Sequence, residues 1–227
     1  MRVVTNERII NRNKKIGQYT TIFALVVLAG GLVLSFRPNS QYFSYSLAAL
    51  LLGFVLSQVG IYFGNRWGRT PRPDQQITQS LKGLDDKYSL YHYVTPVSHL
   101  LIGPAGVWIL LPFNQKGTIT YEKGRWKQKG GNLYMKVFAQ EGLGRPDVEL
   151  NASENELKRF LEKKLPENTV PEIQAALVFT SEKVTIATDD PPVPTLQAEK
   201  LKDFIRRMGK QNQLPMDSVE LLQKVFE

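Results

Sequence analysis

Cysteine is absent from this chain, which excludes disulfides, thiolate metal sites and a cysteine nucleophile. Histidine occurs only twice, at His92 and His99, too little for a histidine-rich metal centre. Acid is nearly missing from the first 69 residues, where Glu7 stands alone against eight Lys and Arg. The rest of the chain holds 21 basic and 20 acidic residues, so the net charge of +8 belongs almost wholly to the N-terminal segment. A uniformly basic protein would point to phosphate binding. Charge confined to the flanks of an apolar segment points instead to membrane topology. There is also no phosphate-cradling glycine loop and no Ser/His/Asp arrangement.

Two long apolar runs account for the N-terminal segment. Residues 19–36 carry no charge, and as a helix they span about 27 Å, close to the hydrocarbon thickness of a bilayer. Residues 41–65 form a second uncharged run, and only Arg37-Pro38-Asn39-Ser40 separates the two. The pattern predicts an antiparallel transmembrane hairpin with Tyr42, Tyr45, Tyr62 and Phe63 near the interfaces. A signal peptide has a shorter apolar core and would not be followed by a second span. Core helices of a soluble protein would show a polar stripe. Arg2, Arg8, Arg12, Lys14 and Lys15 precede the first helix, Arg66, Arg69 and Arg72 follow the second, and the turn has Arg37 alone. Both ends of the hairpin are therefore expected in the cytoplasm. The expected organisation is a basic cytoplasmic N-terminus over 1–18, two transmembrane helices within 19–65, a proline-stiffened linker over 66–73 and a cytoplasmic domain over 74–227.

That domain is organised around residues 98–117. Strands at 99–102 and 107–112 are joined by Gly103-Pro104-Ala105-Gly106, a turn by its proline and glycines. Val107, Ile109 and Leu111 point one way and Trp108 and Leu110 the other, so the second strand is expected to be central and covered on both faces. A helix at 74–84 and a strand at 88–94 precede this hairpin. Strands at 118–121, 125–128 and 133–139 follow, then loop over 142–146. Ser153 and Glu156 suggest a capping box opening a helix at 153–165. Strands at 173–180 and 183–187, a proline-rich loop at 189–195 and helices at 196–208 (closed by Gly209) and 215–226 complete the order. The expectation is an α+β or mixed α/β domain with one central sheet flanked by helices.

Ser98-His99, the apolar run after them, Gly103-Pro104-Ala105-Gly106 and the apolar strand beyond resemble the core of the NERD (nuclease-related) domain, a branch of the PD-(D/E)xK nuclease-like fold. Asp74, Ile77, Leu81 and Leu84 match the upstream family helix, Trp126 stands where the family often has tryptophan, and Gly117 keeps the family spacing. The resemblance covers about residues 70–210 and implies a restriction-endonuclease-like fold. It also implies where chemistry would sit. The family Asp falls on Ser98, the Glu on Leu111 and the Lys on Phe113. Magnesium needs oxygen ligands in near-octahedral geometry, which leucine cannot give, and phenylalanine can neither hydrogen-bond a water nor offset phosphate charge.

The expected function is therefore a membrane-anchored binding or scaffold module that has lost catalysis, with no catalytic residue, metal or cofactor and an unnamed protein partner. The alternative is an active magnesium-dependent nuclease with a relocated site at Asp74, His99 and Lys116. A strand histidine beside an apolar run is more often structural than a general base. Lys123, Arg125, Lys127 and Lys129 form a basic strand face open to three readings: solvated, near anionic lipid headgroups, or a nucleic-acid tether at the membrane. Trp126 among them reads as sheet packing rather than a base-stacking platform.

Overall fold

The computed structural model describes residues 1–37, 40–130, 142–166, 169–211 and 213–226. The strand expected at 133–139 lies outside the described residues. The chain divides into two compact units. One takes in Met1–Asn6, Pro73–Asn132 and Glu141–Glu227; the described part of the other is Glu7–Arg72.

The first unit is mixed α/β. Its strands are β1 (Arg2–Thr5), β2 (Ser89–His92), β3 (His99–Gly103), β4 (Gly106–Phe113), β5 (Gly117–Glu122), β6 (Arg125–Lys129), β7 (Ile173–Phe179), β8 (Val184–Ile186) and β9 (Thr195–Gln197). Among the described residues they form a six-stranded sheet of order β1-β2-β3-β4-β7-β9 and a three-stranded sheet β6-β5-β8. β4 is central as its composition requires, antiparallel to β3 and parallel to β7. Its alternation sorts the core. Val107, Ile109, Leu111 and Phe113 enter one apolar cluster with Leu157 and Leu161, and Trp108 and Leu110 enter a second with Ile77, Leu201 and Ile205. Helices cover both faces: α4 (Pro146–Lys164) and α6 (Met216–Val225) the first, α3 (Pro73–Ser80) and α5 (Ala198–Gln211) the second. The turn before β4 is built as its residues demand. Gly106 has φ +104°, Trp108 Nε1 donates to Ala105 O at 2.8 Å, and a Cβ on Gly103 would strike the Tyr88 ring.

Several expectations change. The edge strand β1, read from sequence only as basic flank, pairs in parallel with β2, Arg2 opposite Ser89 and Thr5 opposite His92. The α/β unit therefore takes in both sides of the apolar segment rather than starting at residue 74. The capping box at Ser153 is not formed. The helix starts two turns earlier with Pro146 in its first turn, and the Ser153 hydroxyl donates back to Glu149 O at 2.8 Å. Proline at the start and Asp147 and Glu149 beside it suit the dipole there. Gly209 does not close α5; it lies inside that helix, where a Cβ would come within 2.8 Å of the Tyr88 hydroxyl. The proline-rich loop ends in β9, which joins β7 in parallel.

The second unit is an antiparallel helical hairpin of α1 (Glu7–Ser35) and α2 (Ser40–Phe63), the latter running into a π-helical turn, Gly64–Gly68. α1 begins at Glu7 rather than at residue 19, so its first three turns carry Arg8, Arg12, Lys14 and Lys15. Both helices are long and apolar enough to cross a membrane. Their packing is inverted relative to a soluble hairpin. The buried positions are Ile10, Asn13, Gly17, Ala24 and Gly31 on α1 and Ser46, Gly53 and Gly60 on α2. Phe23, Leu25, Val26, Leu51, Leu52 and Phe54 point outward, each roughly half or more exposed. Both seams repeat every seven residues, the spacing of a left-handed two-helix supercoil. Small residues bring the backbones close. A Cβ on Gly53 would sit 2.6 Å from Leu28 Cγ, one on Gly60 would overlap Thr21 Oγ1, and Ser46 Oγ donates across to Gly31 O at 2.7 Å.

Candidate functional site

Sheet alternation decides which of the singled-out residues can meet. Leu111 and Phe113 lie on the first face of β4, 5% and 7% exposed, and the Phe113 ring stacks on Phe179 at 5.5 Å. Asp74 belongs to α3, which covers the second face. His99 pairs directly with His92 and alternates with Leu100, so it too faces the second side. The sheet thus separates Asp74 and His99 from Leu111 and Phe113. A carboxylate placed in the first cluster without partners would cost several kcal/mol. Lys116 is exposed in the connection from β4 to β5. Register sets His99 beside Leu110, and Phe113 is already about 10 Å further along the strand, so nothing in the sheet brings Lys116 to His99. Ser98 stands just before β3, and its carbonyl accepts from Tyr93 N at 2.9 Å.

The second face carries a polar cluster of its own. His92 and His99, 1% and 2% exposed, meet Nδ1 to Nδ1 at 2.8 Å, and His92 Nε2 lies 2.9 Å from Thr78 Oγ1. Thr78 is one helical turn beyond Asp74 and shares its face. Tyr93, at φ +60°, ends β2 and lays its ring edge-on to His99 at 5.0 Å. At this end of the sheet Asn6 N donates to His92 O at 2.9 Å. An Nδ1–Nδ1 contact holds one shared proton, so one ring donates and the other accepts. Neither ring is open to a substrate. Among the described residues no group of three or more His, Asp or Glu side chains is placed to hold a metal ion. Sequence reading missed Thr78, His92 and Tyr93; the signal available was two histidines seven residues apart across a strand–loop–strand.

The basic face lies on the small sheet. Arg125, Lys127 and Lys129 alternate outward along β6, and Lys123, at φ +52°, occupies the β5–β6 turn. Glu122 takes Lys127 at 2.9 Å and Lys129 at 3.2 Å, and these two bonds pull its carboxyl down to about 2. Trp126 faces the other way, 5.0 Å from Tyr121 and packed on the first core cluster. Two open grooves of about 700 and 460 Å³ flank α4. The larger is lined by Pro96, Arg159, Phe160 and Lys163 among others, the smaller by Glu154, Lys158 and Glu172 among others, and neither includes Asp74, His99, Leu111 or Phe113. Burial pushes the Glu154 carboxyl up from its ordinary value. Compared with protein-family models, with curated proteins and with solved structures, the chain matches none.

Proposed function

We propose that this chain is a two-span membrane protein whose α/β unit has a nuclease-related, restriction-endonuclease-like fold without nuclease chemistry, and that it works by docking a protein partner at the membrane. The observation that carries the membrane reading is the inverted packing of the hairpin, with Gly17, Ala24, Gly31, Gly53 and Gly60 inside and the large apolar side chains outside. Water does not favour that arrangement; a hydrocarbon solvent does, because there helix association depends on close backbone approach rather than on apolar burial. Lys and Arg on both outer flanks support a cytoplasmic position for both ends. The antiparallel hairpin returns the chain to the side from which it left, and β1 and α3 both belong to the α/β unit, which agrees with that orientation.

The non-catalytic reading rests on Leu111 and Phe113 within the first apolar cluster and on the sheet that separates them from Asp74 and His99. The residues present do not fit a magnesium ion at the family position, since the side chains there offer no oxygen ligand. Two measurements on the full-length chain test the proposal. Alkaline carbonate washing of membranes should leave the protein in the pellet, and release into the wash would contradict the membrane reading. Single- and double-stranded DNA and RNA should survive incubation with the purified chain and magnesium or manganese. Metal-dependent cleavage abolished by Asp74→Ala would overturn the loss of catalysis and favour the relocated site at Asp74, His99 and Lys116.

A further inference from the structure

We infer that the outward face of the β5–β6 hairpin is an electrostatic docking surface for the anionic headgroups of the bilayer that holds the chain's own helices. The inference rests on the membrane reading above.

Arg125, Lys127 and Lys129 stand two residues apart on one strand face, about 7 Å between neighbours. The Lys127 and Lys129 side chains are 46% and 63% exposed. Lys123 adds a fourth cation at the turn, and Glu122 is the one carboxylate opposite them on the two strands, leaving an excess of three positive charges. The two grooves beside α4 do not include these residues, and the four cations form a row along one strand face and its turn. A row of cations also fits a nucleic-acid backbone, but single-strand binding draws on aromatic faces that stack bases. Here Trp126 and Tyr121 pack together on the side turned away from Arg125, Lys127 and Lys129, with Trp126 against the core. Among the described residues of these two strands no aromatic ring joins the cations. Lysine and arginine near an anionic leaflet each contribute modestly, and a covalent tether turns several weak contacts into one sustained one. Glu122 tempers the surface by holding two of its four cations.

The test is lysine acetylation of the full-length chain reconstituted in phosphatidylcholine vesicles, with and without phosphatidylglycerol, read by mass spectrometry. Lys158 and Lys163 on α4 serve as internal references. Labelling of Lys127 and Lys129 should fall about threefold when phosphatidylglycerol is present, and about 0.5 M salt should abolish the protection. Glu122→Gln should deepen the protection. Equal labelling in both membranes overturns the docking surface while leaving the membrane reading intact. Failure of the chain to stay with phosphatidylcholine vesicles through a carbonate wash overturns both. Protection on phosphatidylcholine vesicles by an added oligonucleotide, in place of anionic lipid, assigns the face to nucleic acid and overturns the inference.

Discussion

His92 and His99 touch Nδ1 to Nδ1 at 2.8 Å, at a place in the sheet where each is almost wholly shielded from solvent. Each ring satisfies a buried nitrogen of the other, and Thr78 satisfies one more. The pair is thus buried and hydrogen-bonded within the sheet. Truncating one ring removes the hydrogen bond that joins it to the other's buried Nδ1, a loss of about 1–3 kcal/mol. His99→Ala and His92→Ala should each lower the melting temperature of the full-length chain in detergent, and the double variant should lose less than the sum of the two. Full additivity, or no loss in either single variant, would show that the rings do not depend on each other.

The hairpin seam makes a sharper pair of substitutions. A side chain at Gly53 meets Leu28, and one at Gly60 meets Thr21, while Gly30 has nothing within 4 Å. Gly53→Leu or Gly60→Val should separate the helices and lower the temperature at which the hairpin unfolds in detergent. Gly30→Ala should be neutral or slightly stabilising, since alanine is the better helix former by about 1 kcal/mol. Equal effects at all three positions would contradict the close packing.

Glu122 gives the clearest dependence on pH. Lys127 and Lys129 hold its carboxyl at about 2, below the value of 4.5 for a free glutamate. A depressed folded-state value means that the contribution is fully present above 4.5 and fades as the pH falls toward 2. The site is open to solvent, so added salt weakens it. Carboxyl NMR titration of Glu122 should give a midpoint near 2 at low salt, rising in high salt and rising further in Lys127→Ala. A midpoint near 4.5 at low salt would show that the two lysines do not hold the carboxylate.

What the sequence displayed was set by how local its signals are. β4 is legible because Val107 through Leu111 is an unbroken apolar run, and the turn before it because proline and glycine constrain φ. The two apolar helices were legible by length and charge. β1 was not. Its four residues acquire a strand identity only by pairing with β2, more than eighty residues away. The start of α4 was misread because a Ser and a Glu three apart imitate a cap, while the real start is marked by Pro146 and Asp147. Gly209 looked like a terminator because its reason for being glycine, the hydroxyl of Tyr88, is a tertiary contact. The seven-residue spacing of Gly17, Ala24 and Gly31 and of Ser46, Gly53 and Gly60 was present in the sequence and shows its meaning once the two seams face each other. For the site, the apolar character of Leu111 and Phe113 is plain in the sequence, but the sheet face they occupy requires the register.

The central claim of the proposed function is that Leu111 and Phe113 fill with hydrocarbon the positions where the resemblance to the nuclease-related family would place metal-binding and catalytic side chains. Crystals of the full-length chain soaked in manganese and measured for anomalous scattering test it most directly. The expected map has no ordered ion near Leu111 and Phe113 or between Asp74 and the His92–His99 pair. A well-ordered manganese bound by two or more side chains of the α/β unit at either place would contradict it.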